Sequence, residues 1–264
     1  MPQISIEIPL TWGNHLEEQM EAIRNQTFQD YKISIASSLS YGECNDILRN
    51  YDAKVVQSGP NILEKRYEAH NISSGEFSLL LDETRIPEKD LLQRLSYNQS
   101  DMVVIREFDI GNSFWIELAN LDKINILECN KIDMSSGFIL PRYLKFKLLS
   151  ESFNKIKENL QSEIFRSVLM EDHQLISFEA TKLTKSISVL EKSFLKHYGD
   201  ETLTSIVKKY HRYGKYHRLL GGTVYDDISS PRNRIRKICI GGRIKLYTLY
   251  LARGIPFLIG YYLF

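Results

Sequence analysis

The sequence predicts an α/β protein in which a mainly parallel sheet is covered by helices and followed by a helical, basic tail. Two observations carry this. Short β-rich runs alternate with helical periods through the first third of the chain, and such alternation requires right-handed crossovers between parallel strands. The charge is also unevenly placed: the first 227 residues carry a net −6, whereas Ile228 to Phe264 hold seven cations and no Asp or Glu. The chain therefore divides into a domain over 1–227 and a tail over 228–264. With 264 residues, 43% of them hydrophobic, it has enough apolar material for one large domain, which excludes overall disorder.

Taken in order, Ile4 to Ile8 reads as a strand, and Leu16, Met20 and Ile23 recur at helical spacing. Ile33 to Ala36 is a second strand, Ile47, Leu48 and Tyr51 mark a helix, and Ala53 to Gln57 is a third strand. A helix over Ile62 to Asn71 leads into a fourth strand, Phe77 to Asp82. The second half is less regular. Met102 to Ile105, Ile124 to Leu127 and Phe138 to Leu140 read as strands, and Tyr143 to Leu149 and Phe153 to Val168 as helices. Thr202 to Leu220 reads as a polar helix with a basic face, ended by Gly221 and Gly222. In such a sheet ligands sit at the carboxyl ends of the strands, which singles out the residues after Ile8, after Ile35 and from Leu81 to Arg85.

The residues there exclude some chemistry. Pro9-Leu10-Thr11-Trp12-Gly13 is no dinucleotide fingerprint, and no Walker-type phosphate loop occurs, so hydride transfer and P-loop phosphoryl transfer are disfavoured. Cys44, Cys129 and Cys239 lie too far apart for a zinc site and read as reduced buried thiols. The histidines show no paired ligand spacing either. No secretory signal opens the chain, and no run of 18 residues is both apolar and uncharged. More informative is Leu79-Leu80-Leu81-Asp82-Glu83-Thr84, an apolar strand that delivers carboxylates to the sheet edge, where a hard divalent cation could bridge a diphosphate.

Several segments, in order, resemble the family 2 glycosyltransferases. They are Ile4 to Pro9, Ile23 to Tyr31, Arg66 to Phe77 leading into Leu79 to Asp82, Ser136 to Arg142, Glu171-Asp172-His173-Gln174-Leu175, His197, and Lys208 to Gly214. The resemblance implies a GT-A, Rossmann-like fold and inverting transfer of a sugar from a nucleotide-diphosphate donor. It implies that Pro9, Thr11, Ser37, Arg66 and Leu81 contact the nucleotide sugar, that Asp82 and Glu83 hold Mg or Mn, and that Asp172 is the general base. Inversion needs a base opposite the leaving diphosphate, a role a carboxylate suits. The plainer alternative for Asp172 is a helix cap, and for Arg66 a surface ion pair with Glu64 or Glu68. Two departures stand out. Ser37-Ser38 replaces the family's Asp-Asp at the second strand end, which leaves the nucleotide base open, and Thr84 replaces the last Asp of the metal motif. The Gln-X-X-Arg-Trp motif of processive synthases is absent, which points to transfer of a single sugar.

The tail combines cations with tyrosines, a composition suited to an anionic partner. From Leu246 to Phe264 it is apolar but interrupted by Arg253, Gly254 and Pro256. Its uncharged pieces are too short to span a bilayer, which takes about 20 residues, and suit burial at an interface. Arg243, Lys245, Tyr247, Tyr250, Arg253 and Phe257 are the expected membrane contacts. The reading that follows is a peripheral enzyme on the cytoplasmic membrane face, acting on the hydroxyl of a lipid-linked glycan. Transfer to a polyprenyl phosphate and a degenerate fold serving as a binding subunit remain open. A nucleic-acid module would account for the tail but not for Asp82, Asp172 or the acidic body.

Overall fold

The computed structural model describes residues 2–40, 46–129, 140–169, 171–229 and 237–263. Its sheet has eight strands: β1 (Ile4–Leu10), β2 (Tyr31–Ser37), β3 (Ala53–Gln57), β4 (Phe77–Leu80), β5 (Arg85–Pro87), β6 (Met102–Ile110), β7 (Tyr143–Lys145) and β8 (Ile187–Tyr198). The spatial order is β3-β2-β1-β4-β7-β6-β8-β5. β3, β2, β1 and β4 run parallel, as the alternation requires. β7 then enters antiparallel between β4 and β6, β8 lies parallel to β6, and β5 closes the edge antiparallel to β8.

The helices follow the crossovers. They are α1 (Leu16–Arg24), α2 (Ile62–Asn71), α3 (Leu91–Ser96), α4 (Phe114–Cys129), α5 (Phe146–Asn159), α6 (Ser162–Ser167), α7 (Asp172–Leu183), α8 (Leu203–His217), the short α9 (Asp226–Ser229) and α10 (Arg243–Leu263). All seven residues of β1 are buried, because helices cover both faces of a central parallel strand. One core cluster joins Ile4, Ile6 and Ile8 to Met20, Ile35, Leu79 and Leu95, and a second joins Leu80 to Phe153, Leu175 and Tyr225. α1 shows its helical period directly, burying Leu16, Gln19, Met20 and Ile23. α2 differs: it buries Lys65, Arg66 and His70 beside Leu63 and Ala69. Buried cations on a helix face need partners.

The first four strands lie where the alternation puts them. The second half departs from expectation at four places. Ile124 to Leu127, read as a strand from its apolar run, lies within α4, where Ile126 packs beside Val104. Tyr143–Lys145 is strand β7, because Tyr143 pairs across to both Leu79 and Val103, and its helix begins only at Phe146. β8 was not expected at all, since Glu191-Lys192-Ser193 and Lys196-His197 interrupt its apolar residues and no period of two runs through it. Cys239 is disulfide-bonded, so it is not the free thiol its spacing suggested. Residues 138–139 of the expected short strand lie outside the described residues.

The carboxyl-terminal helix α10 lies against α8 and α4. A Cβ added at Gly260 would come 2.0 Å from the His211 carbonyl oxygen, and one at Gly214 would come 2.0 Å from that of Phe257. Only glycine permits this approach. Tyr250 donates to Asp122 Oδ1 at 2.9 Å, and Arg253 pairs with Asp122 Oδ2 at 2.7 Å. Phe257 is buried, its ring 5.3 Å from that of His217. Tyr250, Arg253 and Phe257 therefore face the protein, not a membrane, because satisfying Arg253 with Asp122 fixes the rotation of the helix. Lys245 pairs with Glu117, while Arg243 and Tyr247 are exposed. Among the described residues no helix is long and apolar enough to cross a membrane.

Candidate functional site

Asp82 follows β4 directly, where Leu81 donates its backbone N–H to the Glu7 carbonyl at 3.1 Å. β7 runs antiparallel beside β4, and the residue just before it, Arg142, accepts from the Leu80 N–H at 2.7 Å. The sheet thus places Arg142 against Asp82, with Nη1 3.4 Å from the carboxylate. Arg85, at the start of β5, pairs with the same carboxylate and donates from Nε to Glu107 on β6 at 2.8 Å. Arg66 reaches across from α2 to Asp82 and also to Asp172 at the start of α7. Its Nη2 lies 2.7 Å from His173 Nε2, which Arg142 Nη1 approaches at 3.0 Å.

Three guanidinium groups therefore surround one carboxylate. Burial works against ionisation of Asp82, yet Arg85, Arg66 and Arg142 hold it well below the usual carboxylate range. Burial likewise opposes the charge on Glu107, and Arg85, Lys123 and Arg142 outweigh it. Burial and the adjacent Arg66 push His173 down to about 4, so it presents a lone pair at neutral pH. Both guanidinium groups donate to its Nε2, and its buried Nδ1 has no partner among the described residues. Arg66 Nη1 is buried and equally without a partner there.

Asp82, Asp172 and His173 offer three ligand atoms within 4.8 Å of one another. Two carboxylates and a neutral imidazole suit Mn or Mg in chemical type. Arg66 lies on all three, so a divalent cation there competes with a guanidinium for the same groups. Glu83 is placed elsewhere: its Oε2 accepts the backbone N–H groups of Thr11, Trp12 and Gly13 at 2.9, 2.9 and 3.1 Å. Those three donors take up the oxygen expected on a metal and shape the loop after β1. Asp172 lies on the first helical turn, as the cap alternative had it, but no side-chain cap bond forms and the carboxylate turns to Arg66.

Of the expected nucleotide contacts, Pro9, Ser37 and Leu81 lie buried at the carboxyl ends of β1, β2 and β4, and Thr11 follows β1. Ser37 Oγ accepts the Leu39 N–H at 3.0 Å. Lys65 donates to Thr11 Oγ1 at 2.6 Å, and burial lowers its ammonium to about 8. Arg66 is wholly buried and not in the surface pairs open to it in sequence. Lys65 and Glu107 have nothing in their spacing to mark them, and Arg85 ends the stretch singled out in sequence but had no role assigned. Arg142 and His173 stood within quoted motifs but carried no assigned role. His197 lies opposite Arg85 in the β5–β8 pair and is hydrogen-bonded to Asp109.

No family model matches the chain, and no curated protein matches it. Solved structures do. S. aureus TarS residues 1–349 in complex with UDP superposes with a TM-score of 0.55 at 17% identity, over 86% of this chain and 68% of that one. The same segment in complex with UDP-GlcNAc gives 0.54 at 16% identity, over 98% and 81%. The longer TarS chain gives 0.55 at 15% identity, and the present chain spans 44% of its length. The mixed, curled sheet flanked by helices is thus similar to the GT-A fold of TarS, the fold that the resemblance implies.

Proposed function

We propose that the chain is an inverting glycosyltransferase that moves a single sugar from a nucleotide-diphosphate donor to the hydroxyl of a lipid-linked glycan. One observation carries the reading. A ring of Arg66, Arg85 and Arg142 closes on Asp82 and Asp172 beside the carboxyl ends of parallel strands, in a fold also seen in a protein crystallised with UDP and UDP-GlcNAc. Among the described residues, Arg66 keeps one buried nitrogen without a partner. An anionic group satisfies such a donor.

The chemistry assigned to the residues is as follows. Pro9, Thr11, Ser37 and Leu81 line the donor side, with Lys65 supplying a positive charge behind Thr11. Asp172 takes the proton of the acceptor hydroxyl as its oxygen attacks the anomeric carbon and the bond to the diphosphate breaks. Arg66 and Arg142 face the negative charge that grows on the leaving group. Asp82 and His173 would hold a divalent cation, which offsets part of the same charge when bound, while Asp172 is kept for the proton. Asp172→Asn should lower turnover by about two to four orders of magnitude and leave donor binding nearly intact. Wild-type turnover in that variant would remove Asp172 from the reaction and favour an acceptor that is already ionised, such as a polyprenyl phosphate.

A second reading has one observation in its favour: Asp82 and Asp172 are both already paired with cations. A degenerate fold acting as a binding subunit would keep such pairs permanently. It would bind a nucleoside diphosphate or a partner but release no nucleotide from any nucleotide sugar, with or without acceptor.

A further inference from the structure

We infer that the outward face of α10 docks on an anionic lipid surface, with the helix lying along the surface and not entering it end-on. This deepens the lipid-linked acceptor of the reading above, although different residues carry it. Ile244, Tyr247, Leu251, Ile255, Leu258 and Tyr262 are all exposed, Ile244 at 84% and Leu251 at 61%. Their spacing of three or four residues places them in one stripe along a helix of 21 residues, about 30 Å long. An exposed apolar stripe of that length marks a contact with something else.

The stripe cannot bury itself by rotation. Leu246, Leu249, Pro256 and Gly260 form the opposite, buried face. The close approach of Gly260 to His211 and the pairing of Arg253 with Asp122 fix that face inward. Arg253 is the only charged residue from Leu246 onward, so the stripe between its ends carries no charge.

Charge decides between lipid and a second copy. Seven cations and no carboxylate occur from Ile228 to Phe264, and although Lys245 and Arg253 pair with Glu117 and Asp122, two such tails still bring like charge together as their stripes meet. An anionic headgroup layer attracts the same cations, and exposed Lys237 and Arg243 stand at or just before the start of the helix. Tyr247 and Tyr262 lie towards opposite ends of the stripe, each with an apolar ring and a polar tip suited to headgroup depth. An amphipathic helix in the plane of the interface has this distribution.

Flotation of the full chain with phosphatidylcholine vesicles, with and without phosphatidylglycerol, tests the assignment. The chain should float with the anionic vesicles, bind them less as salt rises, and bind phosphatidylcholine alone far more weakly. Leu251→Glu with Ile255→Glu should weaken binding at least about tenfold, since each removes an apolar side chain from the contact. Its melting temperature and nucleotide binding should be unchanged, because both positions are exposed and neither belongs to the site around Asp82. Should that variant misfold, Lys237→Glu with Arg243→Glu carries the test through loss of the salt-sensitive part. Failure of the wild-type chain to float, unchanged flotation of the variant, or a dimer in sedimentation that Leu251→Glu dissolves would each overturn the assignment. Nucleotide binding measured on the same samples reports separately on the transferase reading, which can fail while flotation persists.

Discussion

Arg66 and Asp172, 106 residues apart in the chain, form a hydrogen-bonded ion pair from which water is excluded. The pair ties α2 to α7. Such a pair adds little net stability when intact, but removing one partner leaves an uncompensated buried charge. Arg66→Met should therefore lower the free energy of unfolding by about 3 to 5 kcal/mol in urea titration, because Asp172 loses its guanidinium partner and Asp82 loses one of three. A loss under about 1 kcal/mol would show that these carboxylates are not held by Arg66 in solution.

Glu83 separates a structural role from a metal role. With its Oε2 on three backbone N–H groups, Glu83→Ala should loosen the loop after β1 and cost on the order of 2 kcal/mol, seen first as weaker nucleotide binding. Glu83→Gln keeps an acceptor oxygen and should retain most of the affinity, with an unchanged response to chelator. Loss of the metal response in Glu83→Gln would put the side chain back on the cation.

Burial, reinforced by Arg85, lowers His197 to about 4, and it lies against Asp109, which His197 and Lys123 hold at about 2 despite burial. In the unfolded chain His197 titrates near its ordinary value of 6.5. Between those values the unfolded chain binds the extra proton, so the contribution is complete above pH 6.5 and is lost as pH falls towards 4. The Asp109 contribution is lost later, below its ordinary 3.8 and towards 2. Denaturant midpoints should accordingly fall from pH 7 to pH 5, and His197→Asn should flatten that fall. An identical slope in the variant would assign it to other groups.

The parallel half of the fold was legible because β1, β2, β3 and β4 are apolar runs separated by helical periods, the strongest local signal a sequence carries. β7 and β8 were not, because β7 is three residues long and polar groups interrupt the apolar residues of β8, so its pairing with β6 and β5 defines it. The site divides in the same way. Asp82 and Asp172 could be found from a strand end and a motif, but Arg85, Arg142 and Glu107 meet them only through the antiparallel insertion of β7 and β5. The inward turn of Tyr250 and Arg253 also escaped, since composition shows that a tail is basic and aromatic but not which side packs on α4.

The account rests on a nucleotide-diphosphate site beside Asp82 and Arg66. Thermal unfolding with UDP, GDP, CDP and dTDP and their sugars, each with and without Mn, tests it directly, because only a ligand of the folded state raises the midpoint. One nucleotide should stabilise the protein by about 2.7 kcal/mol at a hundredfold excess over its dissociation constant, more strongly with Mn, and Asp82→Asn should remove the Mn-dependent part. No stabilisation by any member of the panel, or an equal shift from all of them that persists in Asp82→Asn, would contradict the account.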